Sequence, residues 1–471
     1  LDPFIPPYPH RPTNPISSWK RLAIARENFL AMWEDSAFDL EFDVSRVLRR
    51  HIVLCNSPNS VQFAFSLKNA SFERKSAQMR HALSPLLGDG LFVSDGETWK
   101  TRRGIVAPIV HVSQLSHFAP LMINAAADLR KRWAKHDGET LDILAESAAL
   151  TADVICRALF GQELSRSYAQ QIVEGFTEYQ RHVDQTDILS LLGMPDWIPR
   201  WRNSALKRAT ARIQATLDEI IEQCRRRAAS DPSAVGRLLI ARDEKGAALS
   251  QEALRNEVIV LFMAGHETTA TCLAWTWYLL SQAPDVEARL HEEIDRVLEG
   301  RLPTIDDVPR LIYTRAVIEE TLRLYPPIPI LPREALKTET YEGSTIPKGS
   351  LILVVPWLLH RHRKLWDRPD HFIPDRFMPG GQGPVSKFAY IPFSIGPRIC
   401  AGLSFGLTEA ILCLATLAQG FRLRLKDGYE VNPVARLSLR PDGGLPMATH
   451  TRHPAVTTVG YGAEVKRVMN R

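Results

Sequence analysis

The chain has 471 residues, 45% hydrophobic and 24% charged, a balance that excludes a disordered or fibrous protein. Its 58 basic and 53 acidic residues leave a net charge of +5, too small and too well mixed to imply a nucleic-acid partner. The six cysteines include no CxxC pair, so neither a zinc site nor a disulfide framework is suggested, and a reducing, cytoplasmic compartment is expected.

In chain order, residues 1–15 form a proline-rich segment, LDPFIPPYPHRPTNP, without the pattern of a signal peptide. Trp99 and Arg103 follow in GETWKTRR, four apart and so on one face of a helix. Between Ala205 and Cys224, Leu206, Ile213, Leu217, Ile220 and Ile221 recur with helical period. AASDPSAVG, 228–236, reads as a surface loop between two helices.

The stretch from Val258 to Leu280, VIVLFMAGHETTATCLAWTWYLL, is long enough to cross a bilayer, but Gly265, His266, Glu267, Thr268 and Thr269 occupy its centre. A charged, hydroxyl-rich centre is costly in lipid, so the expectation is a helix buried in protein and no membrane span. Pro284–Leu298 repeats the helical pattern, and the helix through Ala316–Leu324 must end near Tyr325, because Pro326 and Pro327 cannot continue it. Residues 338–356 and 421–451 change to short strands separated by turns. The fold expected is mainly α with small β-sheets, an α+β body, in a single domain over 1–471.

The chemistry concentrates at Cys400, in PFSIGPRICAG from Pro392 to Gly402, just before the apolar helical run Leu403–Leu417. A cysteine at a helix start meets free N–H groups and the positive end of the dipole, which favour thiolate and hence metal ligation. Gly396 and Gly402 allow tight turns and close approach of a large flat group, Pro397 stiffens the loop, and Phe393 can cover the sulfur. The other five cysteines lack such surroundings and read as inert apolar residues.

The pattern F-x-x-G-x-R-x-C-x-G, from Phe393 to Gly402, is similar to the haem-ligand loop of the cytochrome P450 superfamily. Glu320-Thr321-Leu322-Arg323 resembles that family's E-x-x-R, and Pro374-Asp375-Arg376-Phe377 its P-x-R-F. Spacing of three places Glu320 and Arg323 together on a helix, where Arg376 can join them. Ala264-Gly265-His266-Glu267-Thr268-Thr269 resembles the distal-helix motif, and Trp99 with Arg103 the W-x-x-x-R. The likeness implies the P450 fold, with haem between a long distal helix and the proximal cysteine loop.

It further implies haem b (iron protoporphyrin IX) with Cys400 as iron ligand and Pro392, Phe393 and Gly402 beside it. Ala264 and Gly265 would lie on the distal face, where Gly265 lets the backbone approach the porphyrin. Thr268 would hydrogen-bond dioxygen while Glu267 relays protons, although a threonine in a helix also bonds back to the carbonyl one turn earlier. Trp99, Arg103, Arg398 and Arg333 would bind the propionates.

By the same resemblance the activity is that of a soluble, bacterial-type monooxygenase, inserting one atom of O2 into a hydrophobic substrate, fatty acid or terpenoid-like. A peroxide-driven hydroxylase and a non-catalytic haem protein for gas sensing are the alternatives. The length and the AGHETT helix look more like the fatty-acid-hydroxylating branches. No phosphate-binding glycine loop or flavin motif is present, so a separate ferredoxin or flavodoxin-like system would supply electrons. Lys100, Arg102, Arg361, Arg363, Lys364 and Arg368 are the expected basic patch for it. The pocket is expected along 86–93, 260–264, 327–331 and 445–447.

Overall fold

Ser250 accepts a hydrogen bond from the backbone N–H of Ala253 and starts a 32-residue helix, Gln251–Gln282, that runs through the molecule. This is a computed structural model that describes residues 2–161, 165–182, 204–227 and 231–452. The long helix is apolar enough to cross a membrane, yet Val258, Ile259, Phe262, Leu273, Trp275 and Trp277 are all buried. It packs most extensively on Ile143–Phe160 and carries its polar centre into the protein interior.

Helices, with their 3-10 turns, dominate, at about 55% of the described residues. Pro284 occupies the first turn of Pro284–Leu298, which ends on Glu299 and Gly300 in left-handed conformation. Ile312–Leu324 stops at Tyr325, before the two prolines. Tyr325 then stacks on Trp275 of the long helix, with ring centroids 3.9 Å apart. The expected helix at 205–224 runs from Ser204 to Arg227. The expected loop at 228–236 is only partly a loop: 228–230 lie outside the described residues, and Ser233 caps a helix, Ala234–Ile240, whose first turn is buried.

The strands form small sheets at the edges of this helical body. The largest has the order Phe42–Val47, Arg50–Cys55, Leu351–Val354, Leu331–Glu334, Arg74–Lys75. Its last pair is antiparallel and puts Lys75 opposite Arg333. A three-stranded sheet joins Thr140–Asp142, Pro446–Thr451 and Phe421–Leu425, and Pro433–Ala435 pairs with Leu439–Pro441 as a hairpin. Trp275 Nε1 donates to the Leu439 carbonyl at 3.1 Å and so fixes that hairpin against the long helix.

Candidate active site

The proximal loop is built from the E-x-x-R helix outward. Arg323 Nε and Nη2 donate to the two oxygens of Glu320 at 2.7 and 2.8 Å, with both side chains fully buried. Arg323 also donates to the carbonyls of His360, Pro369 and His371, while Glu320 accepts from the Ile373 N–H and pairs with Arg376 at 3.5 Å. One ion pair thereby satisfies several backbone groups of the irregular segment leading toward residue 392.

Cys400 ends that loop, its N–H donating to the Phe393 carbonyl at 2.9 Å. Gly396 has φ +74, and a Cβ there would stand 2.0 Å from the Phe65 carbonyl oxygen. The helix Leu403–Ala418 begins three residues beyond Cys400. Burial pushes the thiol up, and the Gly402 N–H and Arg103 oppose that shift without reversing it.

Across from this loop the long helix presents Ala264, Gly265 and Thr268, enclosing a mostly apolar cavity of about 520 Å³ with Pro392, Phe393, Cys400 and Gly402. The Thr268 hydroxyl donates to the Ala264 carbonyl at 2.7 Å. Glu267 accepts from the Ser438 hydroxyl at 2.5 Å, a contact from the C-terminal hairpin. His266 faces away from the cavity toward Thr151, which donates to its carbonyl at 2.9 Å, and burial lowers its pKa. Gly265 lines the cavity, and a Cβ there would also come within 2.8 Å of Ile155 on the adjoining helix.

The sequence model for cytochrome P450 matches residues 44–445. The chain belongs to the cytochrome P450 family. Cyclooctatin synthase of Streptomyces melanosporofaciens is 35% identical over 385 residues, covering 79% of this chain and 81% of that protein. Pentalenene oxygenase of Streptomyces avermitilis is 31% identical, covering 74% and 77%. The crystal structure of the cytochrome P450DA heme domain superposes with a TM-score of 0.79 at 26% identity, over 96% of this chain and 99% of that one. Retinoic acid bound cyanobacterial CYP120A1 does so at 0.78 and 25%, over 88% and 92%.

This P450 is thus an oxidoreductase of a monooxygenase family that uses a haem iron, dioxygen, hydrophobic substrates and redox partners. Its cavity fits haem on its own terms. Lys75, Arg103 and Arg398 line one end, and Glu73 is the carboxylate beside them, 3.7 Å from Arg398. Arg398 donates to the Ser94 carbonyl at 2.9 Å and stacks on Trp99 at 4.2 Å, and its buried Nε and Nη2 make no hydrogen bond beyond the longer Nη2 ion pair with Glu73. Arg103 donates to the Ile399 carbonyl at 2.8 Å. On the loop side, a Cβ at Gly402 would meet nothing within 4 Å. Three cations on an apolar slot, with an excess of positive charge over Glu73, suit a flat group bearing carboxylates.

Arg333 is fully buried beside Arg398 and Lys75 and is not among the residues that line the cavity. It lies behind the cavity wall, stacked on Phe65 at 4.2 Å and donating to Asn69 Oδ1 at 3.4 Å. Burial and Arg398 push it down to about 9. Its strand partner Lys75 lines the cavity, held well below the usual lysine value by burial, then by Arg333 and Arg398. Sequence reasoning missed Lys75 because the signal, a cation opposite Arg333, exists only once the strands pair. It also missed Ser438 and the buried Glu409, whose carboxyl is raised well above the usual range beside the Thr269 hydroxyl.

Two further expectations are corrected. Leu445 and Met447 are fully buried within the three-stranded sheet and its surroundings, and the C-terminal wall of the cavity is made by Arg436, Leu437 and Ser438 of the hairpin turn. The basic patch does not form. Arg361 is buried over Trp357 at 3.6 Å, and Arg102 pairs with Asp89 and Glu257. Lys100 pairs with Glu97, Arg363 with Asp35 and Asp39, Lys364 with Glu41 and Arg368 with Asp2, so these charges are locally balanced.

Proposed function

We propose that this P450 is a haem-thiolate monooxygenase that hydroxylates a terpenoid-like hydrocarbon, with haem b held by Cys400. The observation that carries the reading is the cavity itself, apolar between Thr268 on one side and Cys400 on the other. Phe92, Val260, Ile328 and Leu437 are among its walls, surfaces suited to a bulky apolar substrate rather than a charged one. Relatives that oxidise terpenoids, cyclooctatin synthase and pentalenene oxygenase among them, favour that class over fatty acids.

When bound, the haem supplies dioxygen activation, tuned by its thiolate ligand. The chain's own residues do the rest. Cys400 ligates, Phe393 and Pro392 exclude water on the proximal side, and Arg103, Arg398 and Lys75 hold the propionates, with Arg333 behind them. On the distal side the Thr268 hydroxyl, whose single proton rests on the Ala264 carbonyl one turn earlier, swings that proton into the cavity for delivery, and Glu267, held by Ser438, replenishes it. This acid and alcohol pair favours dioxygen over peroxide as oxidant. Electrons come from a cytoplasmic ferredoxin or flavodoxin-like partner, since these 471 residues hold no nucleotide-binding glycine loop to take them directly from a nicotinamide.

The deciding experiment is a screen of the ferric holoenzyme for substrate-induced spin-state shifts across terpenoids, fatty acids and steroids. Hits are then turned over with NADPH plus ferredoxin and, separately, with peroxide. A terpenoid-selective shift followed by NADPH-dependent hydroxylation supports the reading; shifts confined to fatty acids, or turnover with peroxide alone, overturn it.

A further inference from the structure

Glu257 lies on the long helix two turns before Thr268's motif and is fully buried. It takes no part in the chemistry described above. Its two carboxylate oxygens accept from the Leu91 N–H at 3.0 and 3.1 Å, and Arg102 Nε lies 3.4 Å from one of them. Beside it, Asn256 Nδ2 donates to Asp89 Oδ1 at 3.1 Å, and Arg102 Nη2 reaches the same Asp89.

The segment being held is 88–94. It leaves the helix Ala77–Leu87 through Gly88 at φ +54, where a Cβ would overlap the Asn256 side chain at 2.2 Å. At Gly90 a Cβ would press on Val260 at 2.8 Å. The chain therefore lies directly on the long helix, and Leu91 and Phe92 form part of the cavity wall. At its far end the Ser94 carbonyl accepts from Arg398 of the cysteine loop.

We propose that Glu257 is a positioning residue: its carboxylate latches Leu91 to the long helix and so sets how far Leu91 and Phe92 close over a bulky occupant of the cavity. An interior carboxylate accepting from one loop amide is a strong, directional tie, because leaving either group unpaired in the interior is costly. The tie is also adjustable. Burial pushes Glu257 up to about 7, Asp89 of the loop adds to the rise, and Arg102 of the Trp99 helix opposes it. Near neutrality the latch therefore passes between a carboxylate, the stronger acceptor, and a carboxyl group. The inference rests on the reading of this cavity as the haem and substrate site.

The test uses the haem-loaded protein, with imidazole as a small probe and clotrimazole as a bulky one, and Glu257→Gln and Glu257→Ala variants. Hydrogen exchange of the 88–94 peptide is the second readout. Glu257→Ala is expected to keep imidazole affinity within about twofold but to weaken clotrimazole by about tenfold or more and to speed exchange in 88–94. Glu257→Gln, which keeps an acceptor for Leu91, should match the parent protein at pH 6 and bind clotrimazole more weakly than it at pH 8. If the alanine variant does not fold, the pH difference with glutamine decides alone. Identical clotrimazole affinity for glutamine and parent at both pH values, with unchanged 88–94 exchange, overturns the latch. Failure of the parent protein to shift its Soret band with imidazole would instead overturn the cavity reading, while the exchange data would still judge the latch.

Discussion

Ser438 donates its hydroxyl to the Glu267 carboxylate, joining the turn of the C-terminal hairpin to the acid beside Thr268. Leu437, next to Ser438, lines the cavity, so one hairpin turn touches both the occupant's space and the proposed proton donor. Any movement of that turn alters what Glu267 can reach.

This relationship predicts a graded series. Thr268→Ala is expected to leave haem binding intact but to divert reducing equivalents from product to hydrogen peroxide. Glu267→Gln should slow turnover by about 10²-fold, the low end of what a positioned acid contributes. Ser438→Ala should change the pH profile of turnover while leaving the spin-state shift unaltered. Product, peroxide and NADPH measured together check all three; unchanged coupling in Thr268→Ala would remove that residue from proton delivery.

Cys400→Ser is expected to lose the red-shifted Soret band of the reduced carbon monoxide adduct. The proximal loop should otherwise hold its shape, because its supports are the Glu320–Arg323 pair and the Phe393 carbonyl rather than the sulfur. Survival of the band would mean that another side chain holds the iron.

The Glu320–Arg323 pair has no exposed atoms to be screened by solvent. Glu320→Gln would leave the buried Arg323 its three carbonyl partners and one amide oxygen but no counter-charge at that position, and breaking a buried pair from one side costs about 3–5 kcal/mol. Chemical denaturation should show a loss in that range, together with faster haem loss. A change below about 1 kcal/mol, the scale of a surface contact, would contradict the role given to it here.

Lys75 makes a prediction of opposite sign for apoprotein and holoprotein. The folded apoprotein favours the neutral amine, so its fold bears the full penalty below the lowered pKa. Stability then rises as pH climbs from there toward the ordinary lysine value of about 10.4. Lys75→Met should abolish that rise and make the apoprotein more stable near neutral pH, yet release haem faster for want of a propionate partner. Thermal unfolding of both forms across alkaline pH, with haem transfer to apomyoglobin, checks the two halves.

Much of this was legible in one dimension because it depends on spacing within a single element. Cys400 stands at the head of an apolar helix, Glu320 and Arg323 are three apart, and Pro326 and Pro327 forbid a longer helix. Each is set by local geometry, and each is found where the sequence puts it. The polar centre of the long helix was likewise visible as a cost needing a purpose.

Only the tertiary structure decided which distant residues face one another. The register of two short strands sets Lys75 beside Arg333 on one face, and Ser438 finds Glu267 across 171 positions of chain. The candidate basic patch dissolved largely for the same reason: Lys100 meets Glu97 on its own helix, but Arg363 and Lys364 are paired with carboxylates brought from elsewhere and Arg361 is buried. Within an element, covalent geometry fixes the neighbours. Between elements they depend on packing, which a periodic pattern shows as a buried face but does not pair with its partner.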